Sequence, residues 1–363
     1  MQIVCSMCGR SQGSPLLLEC TECSIPFTLS DYPTFRKGEI ISDVHNLWRY
    51  RRFFPYVRKQ FIVSMGEGHT PKISLDQAGR VEAILEYMNP THSFKDRGTT
   101  MLISTLNQRH VSKIIEDSSG NAGASIAAYS ARAGISCTVF VPESAPPMKL
   151  RQIKSYGAKV TKVAGAREDV ARKARQAGSR SFYASHVYNP QFLDGMRSIA
   201  YQIGEQYSWN LPDFIYLPVS AGTSLLGLVY GLKNLESSGV TSKLPTIVAV
   251  QPSNVSPLHH ALIGRNFEPI PGRSSVADAL TGVSPARLFE MVQALRSVKG
   301  TTEIVSEKEI IESQRFLGRK GMYVEPSSAT TYAALRKNMD RGVVTPNDRS
   351  LLIITGSGLK SSV

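Results

Sequence analysis

Residues Ser112-Lys113-Ile114-Ile115-Glu116 lead through Asp117 into Ser118-Ser119-Gly120-Asn121-Ala122-Gly123. A run of small residues follows to Ala133, and the stretch closes with Ser136-Cys137-Thr138-Val139-Phe140-Val141. The two outer runs read as strands, the small-residue segment as a helix, and the Gly-rich junction as a tight strand-to-helix turn. Residues 137–141 are almost continuously apolar, as a strand covered on both faces must be. Strand, helix and strand in that order form a parallel crossover unit, and the fold class that follows is α/β.

The same alternation continues in both directions. Upstream, residues 81–87 read as a strand and 95–109 as a helix. Downstream come a helix at 147–156, a strand at 159–163 and a helix at 168–176, then apolar strand-like runs at 214–218, 246–251 and 351–355. There is no internal repeat and no low-complexity tract. The 363 residues suffice for two parallel-sheet domains. In such sheets ligands gather where strand C-termini meet helix N-termini.

Composition narrows the classes of function. Hydrophobic residues at 42% and charged residues at 20% are ordinary globular values, which excludes long disorder and fibrous repeats. No apolar run approaches the roughly 18 residues of a membrane span, and the N-terminus lacks the basic start and apolar stretch of a signal peptide. A soluble, cytoplasmic protein is therefore expected. Lys and Arg total 42 against 29 Asp and Glu, a net charge of +13. That field favours anionic partners: nucleic acid, acidic surfaces, or small phosphorylated and carboxylate ligands. The densest cluster is Trp48-Arg49-Tyr50-Arg51-Arg52-Phe53-Phe54. Such a mixture can stack on a nucleic-acid strand, but Arg stems over aromatics are also an ordinary surface feature.

Four of the five cysteines fall in the first 23 residues, as Cys5-x2-Cys8 and Cys20-x2-Cys23. Each pair can hold one metal from a tight turn, and four thiolates close a tetrahedral structural zinc site. Free thiols, a site that has lost its metal, and disulfides are the alternatives. With no open coordination position, such a zinc holds the segment together and does not catalyse. Cys137 reads as a small core residue.

Three polar motifs stand at strand-to-helix junctions. In Asn89-Pro90-Thr91-His92-Ser93-Phe94-Lys95-Asp96-Arg97-Gly98, Lys95 opens a helix, where the helix-end potential and partial burial lower an amine pKa as a nucleophilic lysine needs. In Ser118–Gly123 the glycines let backbone N–H groups approach an anion, and Asn121 adds an amide. In Pro218-Val219-Ser220-Ala221-Gly222-Thr223-Ser224, free N–H groups and three hydroxyls can cradle a phosphate. Taken one at a time, these are also a solvated lysine and plain Gly-rich turns.

Their order along the chain resembles the pyridoxal-phosphate enzymes of the tryptophan-synthase-β-like fold (fold type II), and among them the threonine synthases. The resemblance runs from Trp48-Arg49-Tyr50 through Glu67-Gly68-His69-Thr70-Pro71 and the motifs above. It continues through Asn189-Pro190, Asp194-Gly195, Val250-Gln251 and Glu325-Pro326-Ser327-Ser328-Ala329 to Thr355-Gly356-Ser357-Gly358-Leu359-Lys360. It implies that Lys95 bonds covalently to the cofactor and then serves as base, with Asn121 at the pyridine hydroxyl. It implies Ser220, Ala221, Gly222, Thr223 and Ser224 as the phosphate loop and Thr355 at the ring nitrogen. Thr91, Ser118, Ser119 and Asn121 become candidates for the substrate carboxylate. The implied reaction is β- or γ-elimination or replacement on an activated amino acid such as O-phosphohomoserine, in a lyase or synthase with a possible homodimeric assembly. The implied domains are residues 31–88 with 190–363 as the larger and 89–189 as the smaller, after the zinc-ribbon-like segment 1–30. Nucleic acid is then the least favoured partner.

Some positions depart from the family. His92 stands where the family generally has Gly, which narrows the site or supplies a titratable group to the substrate. Hydroxyls replace Gly and Asn in the phosphate loop. Val187 and Phe192 stand where small polar residues and an Arg hold the substrate phosphate, and an apolar ring cannot offset the desolvation of a dianion. Arg197 and Lys149 remain as anion partners. A paralogue acting on another serine or homoserine derivative, as a cysteate synthase does, is the alternative to a threonine synthase.

Overall fold

The computed structural model describes residues 1–145, 147–165, 167–177 and 181–360. Two parallel sheets carry the architecture. The larger has six strands: β3 (Lys72–Ser74), β4 (Val81–Leu85), β9 (Phe214–Pro218), β10 (Thr246–Pro252), β11 (Gly300–Val305) and β12 (Ser350–Ile354), in the order β11-β10-β9-β12-β4-β3. Only the edge strand β3 is antiparallel to its neighbour. The smaller sheet, in the order β7-β6-β5-β8, is parallel throughout and contains β5 (Lys113–Glu116), β6 (Ser136–Pro142), β7 (Lys159–Val163) and β8 (Phe182–Tyr183). An antiparallel pair, β1 (Gln2–Cys5) and β2 (Phe27–Ser30), brackets the cysteine segment.

Period-two geometry divides the large sheet's core. Ile215, Leu217, Ile247, Ala249, Leu351 and Ile353 face one side, and pack under α6 (Ser198–Gln206), α7 (Thr223–Ser237), α8 (Pro257–Leu262) and α9 (Leu288–Ser297). Tyr216, Val248, Val250, Leu352 and Ile354 face the other, under α10 (Glu307–Arg319) and α11 (Pro326–Asp340). Both faces are dry, which is why these strands read as unbroken apolar runs. Around the small sheet lie α1 (Lys95–Gln108), α2 (Asn121–Ala133), α3 (Pro147–Ser155), α4 (Arg167–Ala177) and α5 (Pro190–Met196). Among the described residues no helix is long and apolar enough to cross a membrane.

Two sequence expectations change. The strand expected over residues 81–87 ends at Leu85, and a 3-10 turn, Glu86–Met88, follows. The turn carries Glu86 inward to a fully buried ion pair: Arg97 Nε and Nη2 donate to its two carboxylate oxygens at 2.6 and 2.7 Å. Gln202, Ser198 and Thr70 place further acceptor oxygens around the guanidinium. The second change concerns the aromatic and basic cluster. Trp48, Tyr50, Phe53 and Phe54 are buried around Tyr201, and Arg49 donates to Glu205 at 2.7 Å. Trp48 Nε1 donates to Glu67 and Thr100. The rings are core, not a stacking platform for bases.

Removing one partner of a buried, hydrogen-bonded pair leaves an uncompensated charge. Glu86→Gln should therefore lower stability in urea by about 3 kcal/mol, and a loss within a few tenths of a kcal/mol would show that the pair does not anchor α1.

Candidate active site

The C-terminal ends of β5, β9 and β12 open onto one cleft of about 1010 Å³. Asp117 to Asn121 follow β5, Ser220 to Ser224 follow β9, and Thr355 follows β12; all line the cleft, together with His92, Phe94 and Lys95. The loop before α1 is stitched to the residues after β12. Phe94 N–H donates to Thr355 O at 3.0 Å, and Ser357 N–H donates to His92 O at 3.2 Å. The lysine 260 positions upstream is thereby fixed beside Thr355.

Burial lowers the Lys95 amine to about 8, partly opposed by the negative charges of Glu116 and Glu325. A substantial neutral fraction at pH 8 is what a nucleophilic amine requires. Lys360 is likewise lowered to about 8 by burial, partly opposed by the negative charges of Glu325 and Asp96, and its Nζ donates to Thr91 O at 2.6 Å. Glu325 sits at the N-cap of α11 and is pushed upward by burial, against the hydrogen bond from Asn121 and the charge of Lys360. Asn121 Nδ2 donates to Glu325 Oε2 at 3.1 Å, and Thr355 Oγ1 lies 3.4 Å from Oε1. Glu325 and Lys360 carried no individual role in the sequence reading, because only the closure of the loops brings them to positions 121 and 91.

The Ser220–Ser224 loop feeds α7. Gly222 has φ +88°, and a Cβ there would lie 2.3 Å from Met291 Sδ, so position 222 requires glycine. No side chain caps α7, whose first N–H groups point toward the cleft end of β9.

Other expected site residues fall differently. Ser118 and Ser119 line the cleft, and so does the exposed His92, held at φ +62°. Thr91 does not: it is fully buried, and its hydroxyl donates to Asp96 at 2.5 Å. Arg197 is also removed from the substrate. It has no exposed surface, is ion-paired to Asp194 and hydrogen-bonded to Tyr201, and donates to Phe53 O at 3.0 Å. A guanidinium committed to a buried carboxylate cannot serve a ligand outside its shell. Phe192 is buried against Gly98, where a Cβ would meet its ring at 2.7 Å, and it does not line the cleft; Val187 does. The Lys149 side chain lies outside the described residues.

A second cluster stands at the N-terminus. Cys5, Cys8, Cys20 and Cys23 place their Sγ atoms within 4.8 Å of one another, so the four could hold a metal ion. Backbone N–H groups of Cys23 and Glu22 lower the Cys20 thiol to about 7, while the neighbouring Cys8 thiol and burial push Cys23 up to about 12. The fully buried Arg287 ties this segment to the cleft wall, donating to Phe27 O at 2.9 Å and Val187 O at 2.7 Å while paired with Glu290.

Residues 63–356 match the profile of the family described as pyridoxal-phosphate dependent enzyme. The chain belongs to that family. Within it the chain is a threonine synthase-like member of fold type II. It is 33% identical to the threonine synthase of Methanocaldococcus jannaschii, covering 98% of this chain and 92% of that one. Against the threonine synthase of Methanosarcina acetivorans it is 29% identical, covering 98% and 91%. In fold it resembles maize serine racemase, with a TM-score of 0.69, 21% identity and coverage of 80% and 88%.

Two measurements follow. In competitive acylation, Lys95 and Lys360 should react with midpoints near pH 8, because only the neutral amine attacks, while exposed lysines titrate near about 10.4; surface-like midpoints at both would contradict the burial argument. Cobalt(II) should bind at one equivalent with a tetrahedral thiolate spectrum that disappears in Cys5→Ser/Cys8→Ser, and a spectrum unaltered by that change would place the metal elsewhere.

Proposed function

We propose that the chain uses pyridoxal phosphate to carry out elimination or replacement at the β or γ carbon of an activated amino acid, converting O-phosphohomoserine to threonine. The observation that carries this reading is Lys95 in one cleft with Asn121, Ser220 to Ser224 and Thr355, in a chain similar to threonine synthases along nearly its whole length. The donors present suit the cofactor. Lys95 supplies the amine that bonds its aldehyde, and Asn121 supplies an amide for its ring hydroxyl. Ser220, Ala221, Gly222, Thr223 and Ser224 offer N–H groups and hydroxyls for its phosphate, and Thr355 offers a neutral hydroxyl to its ring nitrogen. When bound, pyridoxal phosphate supplies a sink for the electron pair left at the α carbon.

The remaining work belongs to the chain. Ser118 and Ser119, beside the N-terminus of α2, hold the substrate carboxylate through hydroxyl and backbone donors. With its amine free, Lys95 would take the α-proton on Nζ, and its lowered pKa suits the transfer. The larger domain is residues 31–88 with 190–363, and the smaller is 89–189; the strands of the four-stranded sheet all fall within the latter span. The cysteine cluster binds zinc, which holds residues 1–30 in shape without taking part in the reaction.

A second reading has a specific observation behind it. Arg197 is committed to Asp194 and Phe192 is packed against Gly98, so neither supplies a cation to a phosphate ester. That favours a different serine or homoserine derivative. The cofactor-loaded chain should release phosphate and threonine from O-phosphohomoserine in equal amounts. A background rate on that compound beside turnover of O-phosphoserine or O-acetylserine selects the second reading, and Lys95→Ala should abolish either activity.

A further inference from the structure

Glu116, the last residue of β5, is completely buried, and its Oε1 lies 2.9 Å from His186 Nδ1. His186 itself lines the cleft. When Glu116 is ionised it only accepts hydrogen bonds, which puts a proton on Nδ1 in this contact, with Nε2 on the ring edge away from Glu116. The imidazole and the Lys95 amine line the same cleft and face the same aromatic ring. The imidazole centre and Lys95 Nζ each stand 5.9 Å from the centre of the Phe192 ring, and Lys95 responds to the charge of Glu116. The polar groups sharing this wall are Asp117, Tyr183, Tyr188 and Arg175. A buried carboxylate behind an imidazole fixes the orientation of the ring and favours its protonated form, the arrangement an acid at a leaving group needs.

We infer that His186, oriented by Glu116, is the acid that protonates the oxygen of the departing group, so that the substrates of this chain leave through an oxygen that takes up a proton. The inference rests on the elimination chemistry proposed above. As the carbon–oxygen bond breaks, its electron pair stays on the leaving oxygen. The proton on His186 Nε2 moves to that oxygen, and the neutral ring regains a proton from water. His186 is then a catalytic residue and Glu116 a positioning residue.

The test compares leaving groups in the cofactor-loaded full chain. Serine, O-phosphoserine and O-phosphohomoserine leave through oxygen, whereas chloride departs from 3-chloroalanine without a proton. Oxo-acid or threonine formation reports turnover, and the visible absorbance of the bound cofactor reports loading. His186→Gln should lower kcat on the oxygen-leaving substrates roughly 10²- to 10³-fold more than on 3-chloroalanine. Glu116→Gln should show a smaller split of about tenfold in the same sense, in kcat and not in KM. An equal loss on both classes would make the pair structural and overturn the inference, as would no loss at all. A loaded wild-type chain that turns over 3-chloroalanine but none of the oxygen-leaving substrates overturns it too. Failure of the wild type to take up cofactor is visible in the absorbance alone and defeats the underlying reading instead.

Discussion

The fully buried pair of Arg97 and Glu86 sets the position of the Lys95 end of the cleft. It lies two residues beyond Lys95 on the same helix, in a region from which water is excluded. A guanidinium so placed is tolerable only because both carboxylate oxygens and three neutral acceptors surround it. That requirement fixes the first turn of α1 against the 3-10 turn after β4 and against α6. With the turn fixed, the Lys95 ammonium has little freedom to reach solvent, and burial drives its pKa down. A reactive amine is thus a consequence of where an unreactive cation has been anchored.

The opposite wall is organised by Glu325. Its carboxylate meets Asn121 at the start of α2 and Thr355 after β12, and Gly356 approaches so closely that a Cβ there would lie 2.3 Å from the carboxyl carbon. Three segments distant in the chain are held together by one acid. Ser328 adds to the joint, with its hydroxyl 3.0 Å from Thr355 Oγ1 and accepting from Gly356 N–H at 2.9 Å. Both groups expected to touch the cofactor ring therefore have their rotamers restrained before any ligand arrives, which is the condition for a preorganised site.

Much of this was legible in the amino-acid order because it is local. The strands at 159–163 and 214–218 and the helix beginning at Lys95 follow from apolar periodicity and junction residues, and the structure has them with the same bounds or starts. Lys95, Asn121, Ser220 to Ser224 and Thr355 stand at strand-to-helix junctions, where backbone geometry alone brings them to a cleft. What stayed hidden depends on pairings across the chain. Arg197 reads as an available cation until Asp194 and Tyr201 close around it. Thr91 reads as a loop hydroxyl until Asp96 accepts its hydrogen bond. The aromatic cluster at 48–54 reads as surface until Tyr201 is seen among its rings. Glu325 meets Asn121 across 204 positions, and His186 meets Glu116 across 70. No periodicity encodes such contacts.

The proposed function hangs on one covalent bond, the one proposed between Lys95 Nζ and the aldehyde carbon of the cofactor. Borohydride reduction of the chain loaded with pyridoxal phosphate, followed by digestion and mass analysis of its peptides, reads that bond directly. The account predicts a single pyridoxyl-phosphate adduct on Lys95, present in the native chain and missing from Lys95→Ala. An adduct confined to Lys360, or to surface lysines alone, would contradict it.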